Sequence, residues 1–293
     1  MSSSSPPVYD TIGRAYAAHR RPDPRWAALV APHVAAGPDD LVVNVGAGTG
    51  SYEPEHCAVV AVEPSTVMIG QRPSGAAPVM RASASALPLS SGCADVALAI
   101  LTVHHWDDWA GGLAELCRIA PRRVVLAIDF EVHSHFWLLD DYLPEVAEHA
   151  RRCHPGHETI AEAIGADLVV PLPVPRDMQD GVLGAYWCRP EAYLDAGVRA
   201  NASGLALADH AVVSRGIGAL RADLESGAWA DRHAALLGFD SLDLGYRLVV
   251  AGARTVRTAD RQTRDLRPNR SVRPKAGSTT PPQRLQRRPP DVT

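Results

Sequence analysis

Lysine is almost missing: of 29 basic residues, one, Lys275, is lysine and the rest are arginine. A lysine general base or Schiff-base lysine is therefore unavailable before the last twenty residues or so. No disulfide framework exists either. The five cysteines, Cys57, Cys93, Cys117, Cys153 and Cys188, are odd in number, widely spaced and never CxxC, and most of them read as small buried hydrophobes. No long apolar run occurs. The longest, around Ala94–Val103 and Val124–Ile128, fall far short of the ~20 residues of a membrane helix. Met1–Pro7 has neither a basic start nor an apolar stretch, so no secretion signal is expected and a cytoplasmic location follows.

What is present suits a globular α/β protein. The chain has 293 residues, 46% hydrophobic and 21% charged, enough for one large core. Charge is unevenly spread. From Gly252 onward ten arginines and Lys275 face three aspartates, about +8, which leaves the preceding body near −12. That tail is rich in Pro, Thr and Gln and poor in apolar residues, so 252–293 is expected to be a disordered basic arm.

The body alternates strands and helices. Leu41–Val45, Ala58–Val62, Pro78–Arg81, Ala94–Leu101 and Val124–Phe130 read as buried strands. Arg25–Ala36, Ser65–Gln71 and Asp107–Arg118 read as helices, the last because Trp106, Trp109, Leu113 and Leu116 recur at helical spacing. Such alternation implies a doubly wound, mostly parallel sheet covered on both faces. Beyond Phe130 the spacing predicts a helix over His135–Arg151, a strand over Asp167–Val174, mixed short elements over Val182–Tyr186, Pro190–Leu194 and Val212–Leu224, and a last strand over Tyr246–Ala251. Residues 134–165 look like a helical insertion between two sheet strands.

Leu41–Gly50 runs a buried strand into glycines at alternate positions, Gly46, Gly48 and Gly50. Glycine permits positive φ and close approach of a ligand to the backbone. The N-terminus of a helix expected after the loop would offer free N–H groups. Dinucleotide loops have the spacing GxGxxG; here it is GxGxG. With that spacing the chain resembles the class I S-adenosylmethionine-dependent methyltransferases, in particular those of methyltransferase type 11 related to ubiquinone and menaquinone biosynthesis. The resemblance spans roughly Tyr9 to Ala251, with its defining motifs between Asn44 and His105.

The resemblance implies a seven-stranded Rossmann-like fold with residues 1–36 as an N-terminal cap and 37–251 as the methyltransferase domain. It implies S-adenosyl-L-methionine as cofactor. Asn44, Gly46, Ala47, Gly48 and Gly50 would surround its methionine part. Glu63, ending the second strand, would take the ribose hydroxyls through its two oxygens. Met68 would pack on the adenine. Arg81-Ala-Ser-Ala-Ser-Ala-Leu-Pro-Leu89 is similar to the family's D-A-x-x-L-P loop, with Ser83 in place of the acid and the Ala84 N–H beside the adenine ring. Asn44 likewise stands where many relatives have Asp. Tyr9, Tyr16 and Arg20 resemble the family's cap over the cofactor.

Leu101-Thr-Val-His-His-Trp106 ends the fourth strand on the side of the transferring methyl. Leu101 would line the cofactor there, and His104 and His105 are the candidate bases, since histidine titrates near neutrality. Asp129 is expected to point toward the site, and Tyr186 and Trp187 could wall a substrate pocket. His149, Cys153, His154, His157 and Glu158 lie close together, but their spacing fits no standard zinc site, and no metal is expected. The expected function is methyl transfer to a small molecule. A cofactor-binding module without turnover is the alternative that Asn44 and Ser83 keep open. The acidic body disfavours a tRNA methyltransferase, and the GxGxG spacing disfavours an oxidoreductase. Composition says nothing of the acceptor atom or oligomeric state.

Overall fold

The computed structural model describes residues 6–252 and, in backbone, Leu285–Arg287. Its strands are β1 (Leu41–Val45), β2 (Ala58–Val62), β3 (Val79–Met80), β4 (Val96–Ile100), β5 (Arg122–Ile128), β6 (Leu168–Pro171), β7 (Val174–Pro175), β8 (Phe239–Leu242), β9 (Tyr246–Ala251) and β10 (Leu285–Arg287). Seven of them form one sheet in the order β3-β2-β1-β4-β5-β9-β6. β1 to β5 are parallel; β9 runs antiparallel to both β5 and β6. This is the Rossmann-like architecture of class I methyltransferases. The order reverses between β1 and β4, and the crevice beyond the carboxyl ends of these two strands is where such sheets bind ligands.

Both faces of the sheet are buried, which is why β2 and β4 read as unbroken apolar runs rather than alternating ones. Successive residues point to opposite faces. Val42, Leu98, Leu126 and Leu248 join one core with Trp26 and Val30. Val43, Ala97, Val125 and Val249 join the other with Leu113 and Leu116. The helix Pro24–Val34 covers the first face. It starts where the Asp23 carboxylate accepts the Arg25 N–H and Pro24 supplies a preset φ, and Trp26, Val30 and Val34 recur every four residues on its buried side. It stops at Ala35, at φ 48°. Helices Trp109–Ile119 and His157–Ile164 cover the second face.

Several expectations need correction. No helix follows the glycine loop: Gly46 to Cys57 is a chain of turns. Gly46, Gly48 and Gly50 all sit at positive φ, which no helix tolerates, and Pro54 has no N–H to donate. The helix expected over His135–Arg151 is instead a π-helical turn Leu138–Tyr142 and a helix Pro144–Cys153, preceded by a separate short helix Phe130–Ser134. Pro144 forces the break after the π-helical turn and begins the helix that follows. The strand expected over Asp167–Val174 splits at Leu172–Pro173, with β6 in the large sheet and β7 pairing with β8. Helical structure between β5 and β6 is joined by a second helical stretch between β7 and β8, which includes His210–Ser226. The expected disordered tail lies outside the described residues, save for Gly252 and for β10, which pairs with β8.

The N-terminal segment is fastened through a buried ionic network. Arg20 Nε donates to Asp180 Oδ1 at 2.5 Å, and the Tyr52 hydroxyl donates to the other oxygen at 2.9 Å. Their side chains are 10% and 2% exposed for Arg20 and Asp180. Removing one partner strands a buried charge, so Asp180→Ala is expected to cost about 3–5 kcal/mol in denaturant unfolding. Adding Arg20→Met should recover part of that loss; if the double variant were less stable than Asp180→Ala, the pair would not be coupled as described.

Candidate active site

A cavity of about 540 Å³ opens at the carboxyl ends of β1, β2 and β4. Gly46, Gly48, Glu63, Met68, Ser83, Ala84, Leu101 and His105 line it, roofed by Tyr9 and Tyr16. Glu63 is buried at the end of β2. Its Oε2 accepts the Gly48 N–H at 2.8 Å and its Oε1 the Ser65 N–H at 2.9 Å. Burial pushes the carboxyl upward, while the Ser65 and Gly48 N–H groups and Arg72 pull it back. Each oxygen keeps a further lone pair for a ligand hydroxyl.

The glycine loop is held from below. Gly46 lies so close to Thr102 that a β-carbon there would stand 2.1 Å from Oγ1. Arg72 donates to the Gly48 carbonyl at 3.2 Å and to both Glu53 oxygens at 2.9 Å. The Asn44 amide donates to Glu53 Oε1 at 3.0 Å, and its own Oδ1 is buried without a partner. Asn44, Ala47 and Gly50, expected against the cofactor, do not reach the cavity wall. Asn44 lies beneath the loop on Glu53; Ala47 is turned inward, its N–H bonded to the Val62 carbonyl; Gly50 faces Glu53 and Arg72. Arg72 and Glu53 escaped sequence reasoning, because nothing in their local spacing marks a salt bridge across nineteen residues.

A second cavity, about 360 Å³ and mostly apolar, lies beside the first. The two share Tyr9, Leu101 and His105 as walls. Leu101 is held at φ 51°, an uncommon conformation for a branched residue that here falls at the junction. The Tyr9 hydroxyl lies 3.1 Å from His105 Nε2. His104 packs against His105 with ring centroids 4.0 Å apart and planes tilted by 49°, and reaches the second cavity only. Burial drives His104 well below the usual imidazole range and His105 down to about 3, helped in each by neighbouring imidazoles and Arg20. Both are neutral at pH 7, good hydrogen-bond partners and weak bases.

A stability consequence follows from the depressed histidines. In the unfolded chain they take up protons below about pH 6.5; folded, they do not. Stability is therefore full above that pH and falls as pH drops toward the folded values. His105 alone is worth up to about 2 kcal/mol between pH 6.5 and 5. Thermal melts over that range should show a steep decline in the native protein and a shallower one in His105→Phe. Equal slopes would contradict the burial assigned to His105.

Other expected site residues fall elsewhere. Asp129 caps helix Phe130–Ser134 through the Val132 N–H and pairs with Arg247 at 3.3 Å, so it is spent on structure. Trp187 is a core residue, donating to the Val174 carbonyl at 3.0 Å. From that segment Val182 and Leu183 wall the second cavity instead. His149 and His154 also reach it. His154 packs its ring on Phe130 at 5.4 Å, and among the described residues no His, Cys, Asp or Glu group has the arrangement of a metal site.

Comparison with known proteins adds a decisive observation. The chain is 31% identical to a crystal structure described as a methyltransferase from an antibiotic biosynthesis pathway of Anabaena variabilis, over 80% of this chain and 98% of that one, with a TM-score of 0.73. It belongs to the class I S-adenosylmethionine-dependent methyltransferases. A family model for a methyltransferase domain matches residues 43–128, the segment from the glycine loop to the end of β5. More distant structures include geranyl diphosphate C-methyltransferase from Streptomyces coelicolor, at 14% identity over 78% of each chain and a TM-score of 0.45. Another is an S-adenosylmethionine-dependent methyltransferase of Thermotoga maritima, at 22% identity over 57% of this chain and 82% of that one, with a TM-score of 0.42. No curated protein matches the sequence.

The residues present fit the cofactor of this methyltransferase. The first cavity combines a glycine loop at positive φ, a buried carboxylate with spare lone pairs, a buried thioether at Met68 and small residues at Ala82–Ala84. Among the described residues no helix is long and apolar enough to cross a membrane.

Proposed function

We propose that this methyltransferase transfers a methyl group to a small-molecule acceptor seated in the 360 Å³ cavity. The observation behind this reading is the shared wall of Tyr9, Leu101 and His105 between the two cavities. A methyl group presented at that wall from one side meets an acceptor on the other.

The bound cofactor supplies an already activated methyl on a sulfonium, so the protein has chiefly to align two molecules and exclude water. Glu63 holds the ribose hydroxyls. Ser83 and the Ala84 N–H meet the adenine, and Met68 packs on its face. Gly46 and Gly48 let the methionine part lie against the backbone. Tyr9 and His105 brace one another at the passage, and His104 orients the acceptor from beyond it. The pathway named for the Anabaena relative points the same way, toward a small metabolite. A largely apolar cavity also suits such an acceptor better than a polyanion.

The test is transfer of labelled methyl from S-adenosylmethionine to fractionated small-molecule extracts and, in parallel, to bulk tRNA. Label in an organic-soluble product is expected. Label in tRNA alone would contradict the reading.

A further inference from the structure

The second cavity carries information about its occupant, and the inference here rests on the functional reading above. Three ionisable side chains of formal charge reach its wall: Arg20, Glu145 and Asp209. Glu145 and Asp209 are exposed at the mouth, where Glu145 pairs with Arg215 and Asp209 caps helix His210–Ser226 through the Ala211 and Val212 N–H groups. Arg20 lies inside but is neutralised by Asp180 at 2.5 Å. Asp180 already compensates the Arg20 charge, so an anion would meet no net positive charge there, and a cation would find no spare carboxylate inside. Burying an unpaired charge there is costly.

The remaining polar groups on its wall are imidazoles and three hydroxyls, those of Ser203, of Tyr9, which lies 3.1 Å from His105 Nε2, and of Tyr246, which accepts the Gly184 N–H at 3.3 Å. His133 differs from His104 and His105 in how it is held. Its Nδ1 lies 2.7 Å from the Leu244 carbonyl. A carbonyl only accepts, so Nδ1 carries the proton. Burial holds the ring below the usual imidazole range, with the Leu244 hydrogen bond opposing. Neutral at pH 7, it therefore has a bare Nε2, an acceptor and never a donor. The ring is fixed. It sits edge-to-face on Tyr246 at 5.6 Å. Gly245, at φ 85°, lets the turn before β9 approach so closely that a β-carbon would stand 3.0 Å from the His133 backbone nitrogen and 3.3 Å from its Cβ. The complement of a fixed, neutral acceptor in an apolar cavity is an uncharged donor. An amine would enter as a cation; a hydroxyl would not.

We propose that the cavity takes an uncharged, largely apolar molecule bearing a hydroxyl group, and that His133 Nε2 accepts the hydrogen bond of that hydroxyl.

Titration of the full chain, saturated with S-adenosylhomocysteine, with four probes of one shape tests this: 2-naphthol, naphthalene, 2-naphthoate and 2-(aminomethyl)naphthalene. The neutral alcohol is expected to bind at least about tenfold more tightly than either charged probe. It should exceed naphthalene about fivefold, the worth of one hydrogen bond. In His133→Asn the side-chain amide can still donate to Leu244 but nothing replaces Nε2, so the advantage of naphthol over naphthalene should vanish while naphthalene affinity holds. Failure of 2-naphthol to bind, charged probes binding as well as it does, or a naphthol advantage that survives in a folded His133→Asn protein would each overturn the proposal. Loss of S-adenosylhomocysteine binding would instead count against the functional reading. The same titrations without it keep the two failures distinguishable.

Discussion

Glu63→Ala is expected to weaken S-adenosylmethionine binding by at least about a hundredfold. Glu63 is expected to accept two hydrogen bonds from the ribose, each to a charged acceptor and worth about 1.5–3 kcal/mol. Together they correspond to roughly 10² to 10⁴ in affinity. The substitution also frees the Gly48 and Ser65 N–H groups that the carboxylate holds at 2.8 and 2.9 Å. The loss therefore has two components, lost ribose contacts and a loosened loop. Comparing S-adenosylhomocysteine with its 2′,3′-dideoxyribose analogue separates the two effects. The native protein should prefer the dihydroxy form by about the same hundredfold, and Glu63→Ala should barely distinguish them. A variant that retained the preference would show that Glu63 supports the loop without touching the ribose.

Gly46→Ala is expected to destabilise the fold by about 2–5 kcal/mol and to abolish cofactor binding. A positive φ costs a non-glycine residue about 1–2 kcal/mol. The new β-carbon would stand 2.1 Å from Thr102 Oγ1 and 2.9 Å from its Cβ and Cγ2, an overpacking that costs a further ~1–3 kcal/mol. Gly48→Ala meets only the mobile Met68 Cε at 3.2 Å, so its stability cost should be nearer about 1 kcal/mol. Denaturant titration of both variants gives the ranking. Equal losses would mean that the loop yields at Thr102. Thr102→Ala added to Gly46→Ala should recover the overpacking part and leave the backbone part.

Strands β1 and β2 were legible to the residue, because strands buried on both faces read as short Val-rich apolar runs, interrupted in β1 only by Asn44 and ended by Gly46 or by Glu63. The placement of β9 between β5 and β6 was not, since no local pattern encodes pairing across more than a hundred residues. In the site, legibility followed the backbone. Gly46, Gly48 and Glu63 announce themselves through spacing, and all three reach the cavity wall. Asn44, adjacent in sequence, faces the other way onto Glu53, as strand alternation permits but does not demand. The second cavity was the least legible part. His133 comes from a short helix that precedes the one expected, and its partner Leu244 lies 111 positions away. His149 and His154, for which sequence spacing indicated no role, are wall residues of that cavity.

The most direct measurement is a crystal structure of the protein with S-adenosylhomocysteine. The account predicts both ribose hydroxyls within hydrogen-bonding distance of Glu63, adenine between Met68 and Ala84, and the sulfur at the passage formed by Tyr9, Leu101 and His105. A sulfur directed away from that passage, or a ribose out of reach of Glu63, would contradict it.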